Sequence, residues 1–126
     1  MAGLFSRLQK RSIGHHPYCT AVVVAAGSAS RMKGIDKIMT TLGGIPVLAR
    51  TLQALEQCGR IDEIVVVTRT DLCAPVNILC REFGIQKVTA VVSGGATRAE
   101  SVRCGLCAVS GRAELAAIHD GAPPFV

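Results

Sequence analysis

Apolar residues along the chain gather in short blocks separated by amphipathic stretches. Residues 20–26 (Thr-Ala-Val-Val-Val-Ala-Ala) form a block too short for a buried helix and rich in Val, so they read as a strand covered on both faces. Residues 63–68 (Glu-Ile-Val-Val-Val-Thr), 87–92 and 114–119 read as strands as well. Residues 46–58 read as a helix, with Pro46 suited to the first turn and Gly59 to the stop. A second helix is expected over 74–83, with Asp71 as cap and Gly84 as terminator. A third opens on Thr97-Arg98-Ala99-Glu100, the spacing of a capping box, in which the Thr hydroxyl and the Glu carboxylate satisfy free N–H groups reciprocally. It is expected to run to about Val109 and to bury Ala99, Val102, Leu106 and Val109. Residues 27–34 read as a loop.

Strands alternating with helices require crossover connections, which gives an α/β fold: a Rossmann-like parallel sheet with helices on both faces. Ligands of such sheets collect at the carboxyl ends of the strands. Three segments rich in glycine or charge follow strands: Gly27-Ser28-Ala29-Ser30-Arg31-Met32 with Lys37, Ser93-Gly94-Gly95-Ala96-Thr97-Arg98-Ala99-Glu100-Ser101, and His119-Asp120-Gly121-Ala122-Pro123. All three are therefore expected on one rim.

Composition narrows the picture. With 126 residues, 49% hydrophobic but only 3% aromatic, the chain has material for one core built from Val, Ile, Leu and Ala. The net charge is +5, and Arg7, Lys10 and Arg11 in the acid-free first twenty residues account for three of those charges. Residues 1–18 read as a basic, flexible N-terminal extension and 19–126 as the folded part. Without a basic stripe or a stacking series of aromatics, nucleic acid is not an expected partner. No apolar run reaches signal-peptide or membrane-spanning length, so a cytoplasmic location is expected. Six cysteines (19, 58, 73, 80, 104 and 107) include a Cys104-x-x-Cys107 pair, but it falls inside the third helix and no second close pair accompanies it. They read as small buried thiols.

An apolar strand opening into a small-residue loop that carries Arg31 and Lys37 suits a triphosphate, because backbone N–H groups can approach the anion and the cations can stabilise charge. Arg98 sits in a first helical turn, where the positive end of the helix dipole disfavours it unless an anion lies nearby.

These segments resemble the 2-C-methyl-D-erythritol 4-phosphate cytidylyltransferase family. Ala25-Ala26-Gly27 with Arg31-Met32 is shared widely among nucleotidyltransferases; Gly94-Gly95-x-x-Arg98-x-x-Ser101-Val102 with His119-Asp120-Gly121-Ala122 is much narrower. The resemblance implies a nucleotidyltransferase-type fold and transfer of CMP from CTP to the polyol phosphate, with diphosphate released. It implies Arg31 and Lys37 as catalytic residues, and Ala25, Ala26, Gly27, Ser28, Gly95, Arg98, Ser101, Asp120 and Gly121 as CTP contacts. Asp120 would bind Mg2+, and the full-length form would be a homodimer. His119 is expected to pack and hydrogen-bond, and no general base is needed because the attacking phosphate oxygen is already anionic. Ribitol-5-phosphate or other polyol-phosphate cytidylyltransferases, and a non-catalytic nucleotide-binding fragment, are the alternatives. Three departures are visible: Asp36 before Lys37 where the family has Pro, Pro123 where it has Arg, and a chain that stops at Val126 where the family continues, so a truncated, nucleotide-binding half is expected.

Overall fold

The computed structural model describes residues 16–26 and 46–121, together with the backbone of 31–32, 35–36, 41–42 and 45. Strands β1 (Cys19–Ala25), β6 (Glu63–Thr68), β7 (Val88–Ser93) and β8 (Leu115–Asp120) form one sheet in the order β7-β6-β1-β8. Every neighbouring pair in it is parallel. Between β1 and β6 lie two short antiparallel pairs: β2 (Arg31–Met32) with β3 (Ile35–Asp36), and β4 (Thr41–Leu42) with β5 (Ile45–Pro46). Helices α1 (Val47–Glu56), α2 (Cys73–Glu82) and α3 (Arg98–Cys107) make the crossovers. Among the described residues, no helix is long and apolar enough to cross a membrane.

The core has one compartment on each side of the sheet. Ala21, Val23, Ala25, Ile64 and Val66 face Leu48, Ala49 and Leu52 of α1 and Val76, Leu79 and Cys80 of α2. Their neighbours along the strands, Val22, Val24, Val65 and Val67, point the other way, toward Val102 and Cys104 of α3 and toward Ala108. Burial on both sides explains why these strands carry unbroken apolar runs instead of alternation. The chain steps from β1 to β6 to β7 in one direction under α1 and α2, then returns past β1 to β8 over the opposite face. With right-handed crossovers, reversing direction requires changing faces, and it leaves a switch point between β1 and β8.

The elements match the sequence reading in kind, with shifted ends. Pro46 is the N-cap of α1 and closes the β4–β5 pair instead of occupying the first turn. Asp71 does not cap α2: Leu72 is the N-cap, a single 3-10 turn over Thr70–Leu72 precedes the helix, and Asp71 pairs with Arg69 at 3.1 Å. Gly84, at φ +66, ends α2 in the left-handed conformation that glycine tolerates best. Arg31 and Met32, expected within a loop, are backbone-paired with Asp36 and Ile35. The capping box of α3 is present, with Glu100 N–H donating to Thr97 Oγ1 and Thr97 N–H donating to the Glu100 carboxylate.

Two expectations about burial fail. On α3, Ala99 and Leu106 are exposed, while Ser101 and Gly105 are buried. Gly105 brings the helix so close to the sheet that a Cβ would sit 2.5 Å from Val22 Cγ1, so the line of contact runs through the smallest residues. The cysteines are free, but only Cys80 is buried, and Cys58, in the turn after α1, and Cys107, at the end of α3, are exposed. Burial pushes the Cys80 thiol pKa up.

Candidate functional site

The carboxyl ends of the four sheet strands share one rim, and the described candidate residues stand on it. Ala25 ends β1 and Ala26 follows it. Asp120 is the last residue of β8, in register with Val24, which places it across the switch point. Register partners in a parallel sheet point to the same face, so the Asp120 side chain lies on the α3 side with Val24. There its Oδ1 accepts from Arg98 Nη2 at 3.2 Å. Both side chains remain more than half exposed, at 61% for Arg98 and 56% for Asp120. The carboxylate thus supplies the anion that an arginine in a first helical turn calls for.

The Gly94–Gly95 turn connects β7 to α3 beside this pair. Gly94 N–H donates to Thr68 O at 2.8 Å, which continues the ladder one step past the strand end. A Cβ on Gly94 would approach Ser101 Oγ to 2.6 Å, Ala26 Cβ to 2.8 Å and Val67 Cγ1 to 3.0 Å. Nothing larger than glycine fits, and this contact locks the turn against the end of β1. Ser101, 1% exposed, spends its hydroxyl on this turn by accepting from Gly95 N–H at 3.2 Å. Ser101 therefore shapes the turn from beneath. The Glu100 carboxylate accepts from Ala96 and Thr97 N–H at 2.8 and 3.1 Å.

Gly121 finishes the rim. Its N–H donates to Val24 O at 3.0 Å, and its buried carbonyl accepts from Thr51 Oγ1 of α1 at 3.2 Å. His119, expected to pack, is exposed, and its Nδ1 lies 2.8 Å from the Asp120 carbonyl oxygen. Since a carbonyl only accepts, that nitrogen carries the proton. Gly27, Ser28, Lys37 and the side chain of Arg31 lie outside the described residues, as do Lys33, Ala122 and Pro123. The structure therefore brings together Ala25, Ala26, Gly95, Arg98, Ser101, Asp120 and Gly121. Sequence reasoning missed Gly94 as a point of close packing and Thr51 as a contact of the rim, since a threonine within a helix carries no outward sign of where its hydroxyl goes.

A divalent cation is the one cofactor the resemblance implies. Among the described residues, no three His, Cys, Asp or Glu side chains gather into a metal-binding group. Asp120 offers a single accessible carboxylate. That fits Mg2+, which binds through one or two carboxylates together with substrate phosphates and water, and it excludes an all-protein cage built from these residues.

The opposite rim is chemically distinct. Glu63, 3% exposed, accepts from Thr20 Oγ1 and Thr89 Oγ1, both at 2.6 Å, and from Ser110 N–H at 3.3 Å. Desolvation raises its pKa, but these donors and the nearby Arg112 outweigh that and hold it below the usual value. This carboxylate ties β1, β6, β7 and the segment after α3 together at the end remote from the glycine turns.

Comparison with known proteins agrees with this fold. Residues 19–126 match the family model described as IspD: 2-C-methyl-D-erythritol 4-phosphate cytidylyltransferase. The chain is 42% identical over 106 residues to a protein of that name from Dehalococcoides mccartyi (strain CBDB1), covering 84% of this chain and 46% of the relative. It is 43% identical over 107 residues to the protein so named from Geobacillus kaustophilus, again covering 46% of the relative. The crystal structure of 4-diphosphocytidyl-2C-methyl-D-erythritol synthase from Anaerococcus prevotii superimposes with a TM-score of 0.72 at 33% identity, over 86% of this chain and 45% of that one. The chain spans a little under half the length of these relatives.

Proposed function

The chain belongs to the 2-C-methyl-D-erythritol 4-phosphate cytidylyltransferase family, and from that premise we propose that it is the nucleotide-binding part of an enzyme transferring CMP from CTP to that polyol phosphate. The observation that carries this reading is the meeting of the Gly94–Gly95 turn, the first turn of α3 and Asp120 beside the end of β1 at the switch point. A nucleotide laid across this rim would find a guanidinium at Arg98, while the Gly95 and Ala96 N–H groups stay bonded to Ser101 Oγ and the Glu100 carboxylate and hold the shape of the turn. The Gly94–Gly95 turn, without side chains of its own, would admit the flat edge of a small pyrimidine. Arg98 would leave Asp120 for a phosphate at little cost, because an exposed ion pair is worth about 0–1 kcal/mol.

In the proposed reaction an acceptor phosphate oxygen attacks the α-phosphorus of CTP in line, the bond to the β-phosphate oxygen breaks, and diphosphate leaves. Arg31 and Lys37 are proposed to face the triphosphate and stabilise the charge that develops there. Asp120 would hold Mg2+, which when bound neutralises phosphate charge and assists departure of diphosphate. Positioning and electrostatics carry the chemistry, with no general base. A homodimer, carried over from the resemblance, and the cytoplasmic location expected from the sequence pattern complete the reading.

Calorimetry with Mg2+ and each of CTP, UTP, ATP and GTP tests the nucleotide. CTP is expected to bind tightest, and equal affinity for all four would reduce the site to generic phosphate binding. Diphosphate release from CTP with 2-C-methyl-D-erythritol 4-phosphate or ribitol 5-phosphate tests the acceptor, with the first expected to react faster.

A further inference from the structure

We infer that Thr51 is a positioning residue for the carboxylate of Asp120; the inference rests on the nucleotide-site reading above. Thr51 lies on α1, which carries none of the chemistry-bearing residues described at the rim. It is 9% exposed, one of few buried polar side chains in the described core, and its hydroxyl donates to Gly121 O at 3.2 Å. Gly121 is held from two other sides. Its N–H is bonded to Val24 O at 3.0 Å. A Cβ there would lie 2.9 Å from Ala25 Cβ and 3.4 Å from both Leu48 Cδ1 and Val23 Cγ1, so the backbone is pressed onto β1 and α1.

Asp120 immediately precedes this fixed point, and its side chain projects to the opposite face. Its side chain pairs with Arg98, which is exposed and able to leave. The direction of the carboxylate is therefore set mainly from behind, by the residue after it. Val24 anchors the turn to the sheet, while Thr51 prevents the Gly121 peptide from rotating about that anchor. A valine at 51 would fill the same volume and leave the buried carbonyl of Gly121 without its donor. Thr51 thus acts on the ligand through a backbone unit, as an outer hydrogen-bond partner that orients a ligating group.

The test is Mn2+ binding to the chain in the presence of CTP, read as free Mn2+ by electron paramagnetic resonance, alongside thermal unfolding. Thr51→Val is expected to weaken Mn2+ binding about tenfold, the lower end of the loss seen when such outer partners are removed. Thr51→Ser keeps the hydroxyl and should bind within about twofold of the parent. Thr51→Ala is a second hydroxyl-free variant for the case in which valine prevents folding. Thr20→Val removes another buried threonine hydrogen bond, the one to Glu63 at the far rim, and should lower the unfolding temperature while leaving Mn2+ affinity unchanged. Parental Mn2+ affinity in folded Thr51→Val or Thr51→Ala overturns the inference, and so does an equal loss in Thr20→Val. Failure of the parent chain to bind Mn2+ with CTP overturns the nucleotide-site reading itself.

Discussion

Gly94 and Lys37 illustrate two kinds of importance a single residue can have. Gly94 is constrained by space: an added methyl would overlap Ser101 Oγ and Ala26 Cβ. Gly94→Ala is expected to destabilise the chain by about 1–3 kcal/mol, the usual cost of overpacking, read from urea unfolding midpoints. A midpoint equal to the parent's would show that the turn is looser than its geometry requires. Lys37 is argued to matter through charge. In a catalytically active form, Lys37→Met should lower kcat by about 10²–10³-fold, whereas Lys33→Met, nearby in sequence but unmatched to the family motif, should not. Equal, near-parental rates for both variants would remove Lys37 from the proposed machinery. Glycine and lysine were both legible in the sequence as a motif. The reason for Gly94 was not, because it depends on Ala26 and Ser101 arriving from distant parts of the chain.

Helix α3 shows what an element's own sequence can and cannot reveal. Its capping box is local, so four residues were enough to place its start. Thr97→Ala should cost about 1 kcal/mol, and because the cap holds the turn beside Gly95 it should also weaken CTP binding in the calorimetric assay. Loss of stability with unchanged CTP affinity would separate the cap from the site. The buried face of α3 was misread because the sequence argument ranked residues by hydrophobicity. Close packing over Val22 and Val67 instead selects Gly105 and Ser101 and leaves Leu106 outside. The Asp71 cap failed for a related reason: an extra 3-10 turn displaces the helix start, and Arg69 offers the carboxylate a better partner.

At the scale of the whole molecule, the parallel sheet and its placement of the Gly94–Gly95 turn and Asp120 on one rim followed from the alternation of strands and helices. Glu63 did not, since a glutamate opening an apolar strand looks like a solvated end. Its function becomes visible only when Thr20, Thr89 and Ser110 converge on it. Because its pKa is lowered in the folded state, the ionised form favours folding. That contribution is fully present above the unfolded-state value and is lost as pH falls through the lower, folded value. Parent stability should therefore fall more steeply below about pH 5 than that of Glu63→Gln, which should already be about 2 kcal/mol less stable at pH 7. Parallel stability curves from pH 7 to 3 would contradict this.

An anchoring rim at Glu63 and a ligand-binding rim at Asp120 are proposed, and backbone amide chemical-shift mapping with Mg2+ and CTP tests that division most directly. Saturable shifts are predicted at Ala26, Gly94, Gly95, Ala96, Arg98, Asp120 and Gly121, with Thr20, Glu63, Thr89 and Ser110 unmoved. Saturable shifts centred on the Glu63 rim, or no saturable shift at any of these residues, would contradict the account.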